Sequence, residues 1–114
     1  MAEQKVVDAV TRLLKKRGAW SFNVHGSVFG RNGLPDIVAI YRGRAVVIEC
    51  KSETGRLRPL QRRELDLAQR AGAVVVVARS AFDVKRALDE IDEHATSVPH
   101  NEQRTGSMCA EEES

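Results

Sequence analysis

Three residues in the first half of the chain carry side chains that could work together: Asp36, Glu49 and Lys51. Asp36 follows Pro35 and heads the apolar run Ile37-Val38-Ala39-Ile40-Tyr41, while Glu49 and Lys51 close a second run that begins Ala45-Val46-Val47-Ile48. Arg42-Gly43 between the runs reads as a two-residue hairpin turn. With that turn Tyr41 pairs with Arg44, paired positions sum to 85, and Asp36 lies opposite Glu49. Facing residues on paired strands project to one side with Cβ atoms ~5 Å apart. Lys51 is two residues beyond Glu49 and shares its side. A longer turn would shift this register.

Two carboxylates so close, among valines and isoleucines that lower the local dielectric, repel one another. A divalent cation relieves this. Mg²⁺ takes carboxylate oxygens and keeps waters for substrate phosphates, polarises a phosphate and acidifies a bound water. Lys51 could orient that water or neutralise charge developing at phosphorus. A plain ion pair between Lys51 and Glu49 would account for those two residues but not for Asp36.

The elements that must position these groups follow from periodicity. Val6, Val10, Leu13 and Leu14 repeat at helical spacing from Glu3 to Arg17, with Lys15, Lys16 and Arg17 in the last turn, where the helix dipole favours cations. Trp20 to Val24 reads as a short strand, with Trp20 and Phe22 as core residues. His25 to Pro35, with Gly26, Gly30 and Gly33, reads as a glycine-rich loop. The two runs around the hairpin are apolar on both faces, as in strands covered on both sides. Pro59 suits the first turn of a helix whose apolar positions are Leu60, Leu67, Ala68 and Ala71. Ala73 to Ala78, with four consecutive valines, predicts a buried central strand. Ser80 and Asp83 form a capping box for a last helix with Val84, Leu88 and Ile91 inside. The order helix, three strands, helix, strand, helix defines a three-layer α/β domain with a central sheet, spanning residues 1–94. Residues 95–114 lose periodicity and read as a disordered polar tail.

Composition narrows the partners. The formal net charge of the 114 residues is +2, but residues 1–94 hold 17 basic against 12 acidic side chains, while the tail carries Glu102, Glu111, Glu112 and Glu113. Arg56, Arg58, Arg62 and Arg63 crowd one short stretch. The arginine fork suits phosphate oxygens, and such a patch on a small domain points to nucleic acid, although a solvated helix face gives the same charge pattern. Cys50 and Cys109 form no metal-ligand spacing, which suits a reducing compartment. No stretch resembles a signal peptide or reaches the length needed to span a bilayer. The expectation is a cytoplasmic protein without a membrane partner.

The ordered set Gly33-Leu34-Pro35-Asp36, Glu49-Cys50-Lys51 and Gln61 resembles the PD-(D/E)xK superfamily, and within it the VRR-NUC family of virus-type replication-repair nucleases. The resemblance runs from about Glu3 to Ser80. It implies the restriction-endonuclease-like core and a Mg²⁺- or Mn²⁺-dependent endonuclease acting on DNA. It assigns Asp36 and Glu49 as metal ligands with the Cys50 carbonyl beside them, Lys51 as the catalytic lysine, and Gln61 as a residue contacting the water or the scissile phosphate. It offers Glu3 as a further ligand, equally an ordinary residue of a helix start, and places His25 and Arg31 of the glycine-rich lead-in near DNA. Stand-alone members, largely from phages and bacteria, are similar to Holliday-junction resolvases, homodimers that cut branched DNA. The middle residue of the Glu-x-Lys triplet is usually aliphatic and is Cys50 here. Flap, nicking or restriction-like cleavage on the same fold is the alternative. A second is a non-catalytic DNA-binding module, which would not need the complete Asp/Glu/Lys set. A protein adaptor would need an exposed apolar stripe, and none stands out from the sequence.

Overall fold

In a computed structural model the described residues are 2–24 and 31–95. They form α1 (Glu3–Lys16), β1 (Trp20–Asn23), β2 (Ile37–Tyr41), β3 (Arg44–Cys50), α2 (Pro59–Arg70), β4 (Val74–Ala78) and α3 (Ala81–Ala95). The expected His25-to-Pro35 loop is described only from Arg31, so His25, Gly26 and Gly30 lie outside the described residues. So do the tail from residue 96 and Cys109.

The sheet runs β1-β2-β3-β4, antiparallel except for the parallel β3–β4 pair. The hairpin has the expected two-residue turn. Arg42 and Gly43 take φ of 49° and 81°, the left-handed pair of a type I′ turn, whose twist matches that of the strands. Tyr41 faces Arg44 and the ladder runs on to Ile37 opposite Ile48. Asp36 and Glu49 occupy the next step.

Helices α1 and α3 pack together on one face. Val6, Val10 and Leu14 of α1 and Val84, Leu88 and Ile91 of α3 close over Ile37, Ala39, Val46, Ile48, Cys50, Val76 and Ala78. The helical positions recur every three or four residues and the strand positions every second residue, so each element turns one apolar side to this core. Helix α2 lies on the opposite face, over the β3–β4 half, and completes a three-layer α/β arrangement.

Several expectations need correction. β4 is at the edge of the described sheet, not in its middle. Its valines suit it because α2 and α3 cover it from both sides. Apolarity on two faces reports covering layers rather than strand order. Trp20 and Phe22 are not core: they are 63% and 46% exposed, and their rings meet edge-on at 5.4 Å between centroids. Ile40, opposite Trp20, is exposed as well, so β2 is not covered on both sides and an exposed apolar stripe does exist. The buried side of α2 is Gln61 and Leu65, whereas Leu60 and Leu67 are exposed. At the start of α3, Asp83 accepts from the Arg79 N–H at 2.9 Å, one residue before the Ser80 N–H that a capping box would use.

The hairpin end of the sheet is tied by a polar cluster. Arg17 Nη2 contacts Asp89 at 3.0 Å and Asp92 at 2.8 Å. The Tyr41 hydroxyl donates to Asp92 at 2.9 Å, and Arg42 reaches the same carboxylate at 3.3 Å. The end of α1, the hairpin and α3 are thereby joined.

Candidate active site

The opposite end of the β2–β3 pair brings together the groups that the sequence singles out. Asp36 is fixed by its backbone and its side chain. Its carbonyl accepts from the Val24 N–H at 2.7 Å, and its Oδ2 accepts from the Cys50 N–H at 2.8 Å. Glu49, the last-but-one residue of β3, is 2% exposed. Its Oε2 accepts from Gln61 Nε2 at 2.8 Å and lies 3.5 Å from Lys51 Nζ. Lys51 Nζ is also 3.9 Å from the Glu3 carboxylate, which α1 delivers from its first turn. Oxygens of Glu3, Asp36 and Glu49 lie within 4.8 Å of one another.

Electrostatically the cluster is under-compensated. Burial, and secondarily the charge of Asp36, push the Glu49 carboxyl up to about 7, with Lys51 opposing the rise. Glu49 Oε1 is buried without a hydrogen-bond partner. Buried carboxylate oxygens normally find donors, so an orphan oxygen on one member of a group of three carboxylates fits a cation. Three oxygen donors of this kind suit a hard divalent ion.

Cys50 contributes backbone only. Its side chain is in the α1–α3 core, fully buried, and burial together with the nearby carboxylates pushes its thiol up to about 12.

Gln61 is not the surface residue that its place in a helix's first turn suggests. It is buried and has a protein partner at each end: Nε2 donates to Glu49, and Oε1 accepts from the Arg58 N–H at 2.9 Å. That second bond occupies a helix-start donor that would otherwise lack an intrahelical partner. Gln61 therefore braces Glu49 against the helix start. Gly33 ties the same helix to Asp36. A Cβ on Gly33 would stand 2.6 Å from the Leu60 carbonyl oxygen, and its φ is +89°. Only glycine combines that backbone angle with so close an approach. Beside this contact is a cleft of about 480 Å³ lined by Asn32, Gly33, Arg58, Pro59, Leu60 and Gln61.

Arg56, Arg58, Arg62 and Arg63 are exposed on the loop and first turn flanking the cleft. Arg31 is also exposed but forms a two-bond pair with Glu64 of α2, at 2.7 and 3.0 Å. The sequence reading missed the close approach at Gly33. A glycine three residues before Asp36 is a weak signal until the neighbouring helix is known. It also missed Arg79, at the end of β4, which reaches back to the loop after Lys51.

Fold and site together define a small α/β domain with an acidic, lysine-flanked centre at the end of a hairpin. The model of the VRR-NUC domain matches residues 6–82. A solved structure described as a VRR_NUC domain is similar at 29% sequence identity and a TM-score of 0.62, over 81% of this chain and 95% of that one. No curated protein matches. The chain belongs to the VRR-NUC domain family and is a nuclease domain of the DNA-processing type.

Proposed function

We propose that this domain is a Mg²⁺- or Mn²⁺-dependent DNA endonuclease whose centre is Asp36, Glu49 and Lys51, with Gln61 in support. The observation that carries this reading is the orphaned, buried Glu49 Oε1 within a group of three carboxylates and one lysine. Asp36 and Glu49 would hold the cation, with Glu3 and the Cys50 carbonyl completing the protein's share. A cation bound there supplies Lewis acidity toward the scissile phosphate and toward a water.

The remaining steps belong to the chain's own side chains. Lys51, held beside Glu49, presents an ammonium to the phosphate oxygens on which negative charge builds. Gln61 fixes Glu49 Oε2, which leaves the buried Oε1 as the carboxylate oxygen available to a cation. Its engagement at both ends makes it a positioning residue rather than one that touches water or phosphate. Arg56, Arg58, Arg62 and Arg63 would neutralise backbone phosphates and make binding strongly salt-dependent. Arg31 holds the lead-in to Asp36 against α2 and would meet DNA there. His25, in the same lead-in but outside the described residues, is proposed as a DNA contact on resemblance alone.

Within this activity the substrate is branched DNA, with four-way junctions foremost, cut by a homodimer. Among the described residues this sheet face is partly exposed, which supports a second copy. Trp20, Phe22 and Ile40 form an exposed apolar patch on the side of the sheet that carries Glu49, and isolated monomers rarely leave such patches open. Junction, flap, nicked and linear DNA of one sequence, incubated with Mg²⁺, Mn²⁺ or chelator, form the test. Metal-dependent paired cuts in the junction are expected. Preferential cutting of flaps or linear duplex would replace the junction reading, and no cleavage of any DNA would remove the enzyme reading.

A further inference from the structure

The parallel register of β3 and β4 ends with Cys50 opposite Ala78. One step on, the Lys51 N–H donates to the Ala78 carbonyl at 2.9 Å, so Arg79 follows as the neighbour of Lys51. Partnered residues of adjacent strands project to one side of a sheet, which puts Arg79 on the face that carries the acidic centre.

The Arg79 guanidinium is turned to the chain that follows Lys51. Its Nη1 donates to the Ser52 and Gly55 carbonyls, each at 2.7 Å, with the Glu53 carbonyl at 3.4 Å. The turn so gripped is closed by the Gly55 N–H, which donates to Ser52 Oγ at 3.1 Å. It rests on the lysine stem: a Cβ on Gly55 would stand 3.4 Å from Lys51 Cδ and 3.1 Å from Ser52 Oγ. Lysine has a flexible four-carbon stem with costly rotamer freedom. Its own ion contacts here are long, at 3.5 and 3.9 Å, so packing and the turn must do much of the holding.

We propose that Arg79 is a positioning residue for Lys51: its guanidinium clamps the Ser52–Gly55 turn onto the lysine stem and so fixes where Nζ stands in the nuclease centre. The catalytic consequence rests on the role proposed above for Lys51, whereas the clamp itself does not.

The test uses the full chain carrying Arg79→Met, Arg79→Lys or Gly55→Ala. Steady-state cleavage at saturating metal gives kcat and KM. NMR relaxation of the Lys51 side-chain methylenes, recorded without DNA or metal, gives its order. Arg79→Met should lower kcat on the order of 100-fold, the scale of a misplaced catalytic group, with KM for DNA nearly unchanged. Arg79→Lys, which keeps one donor head, should recover part of kcat, and Lys51 order should follow the same ranking. Gly55→Ala should disturb the Lys51 signals with Arg79 intact, and with Arg79→Lys it carries the test if Arg79→Met does not fold. Unchanged Lys51 order in the Arg79 variants would overturn the proposal. So would an unchanged kcat with a raised KM, which would mark Arg79 as a phosphate contact. If Lys51→Ala itself cleaves normally, the catalytic reading fails, and the relaxation data alone decide whether the clamp exists.

Discussion

The two ends of the hairpin carry polar clusters of similar composition and opposite character. At the turn end, cations meet the carboxylates. Asp89 contacts Arg17 and Lys85, which hold its carboxyl below the usual range. Asp92 takes Arg17, Arg42 and the Tyr41 hydroxyl. At the other end, some five strand residues away or roughly 17 Å, three carboxylates share one lysine, and Glu49 has a buried oxygen without a donor. The first cluster is complete as it stands and joins α1, the hairpin and α3. The second is complete only with something positive added. Buried polar groups that the fold leaves unsatisfied are costly, and such costs concentrate where function requires them.

The largest expected effect comes from breaking the incomplete cluster chemically. Lys51→Ala should lower kcat by about 10²–10³-fold, the range for loss of one group that stabilises transition-state charge. Cation binding, followed by calorimetry, should survive, because the carboxylates remain. Parental kcat in this variant would remove Lys51 from the chemistry.

Completing the cluster should stabilise it. A divalent cation at 100 times its dissociation constant should add about 2.7 kcal/mol to unfolding, read as a raised Tm. Asp36→Asn should lose most of that gain, while Asp92→Asn at the complete end should keep it.

Smaller, and of defined sign, is the pH dependence. In the metal-free protein Glu49 has a folded pKa of about 7 against an ordinary 4.5. A raised folded value favours the protonated form on folding. Its stabilising contribution is therefore whole below pH 4.5 and is lost as pH rises to about 7. Denaturant melts should show this decline in the parent and a flatter profile in Glu49→Gln. An equal slope in both would mean that Glu49 is not the group responsible.

Arg17→Met sharpens the comparison from the other side. It should cost about 1.5–3 kcal/mol, the scale of a hydrogen bond to a charged group, and leave kcat unchanged. The smallest perturbation in atoms is Gly33→Ala. Its Cβ would strike the Leu60 carbonyl, so α2 must shift and Gln61 must move from Glu49. Reduced kcat with an intact fold by circular dichroism is the expected result, and unaltered kcat would show that the helix yields without loss.

Much of this site is legible in the sequence because a two-residue turn fixes a hairpin register, and a register fixes which side chains face one another. Asp36, Glu49 and Lys51 follow from that alone. The layers of the fold follow from periodicity. Gln61 joined by resemblance, since a polar residue on the inner side of a helix contradicts amphipathic patterning. The same pattern misassigned Leu60 and Leu67 to the inside of α2. Trp20 and Phe22 read as core because aromatic residues usually are; no described helix covers that half of the face, which depends on where α2 crosses the sheet. Arg79 was beyond reach for a similar reason: its partners are backbone carbonyls of a loop, which have no residue signature.

The central claim is that Asp36, Glu49 and Lys51 form one metal-dependent nuclease centre. Its most direct test is cleavage of a quenched four-way-junction DNA by the parent and by Asp36→Ala, each titrated with Mn²⁺ from a chelated start. No cleavage is expected without metal, with a saturable rise in the parent and no rise in Asp36→Ala while that variant still melts as a folded protein. Cleavage that persists in chelator, or a matching rise in folded Asp36→Ala, would contradict it.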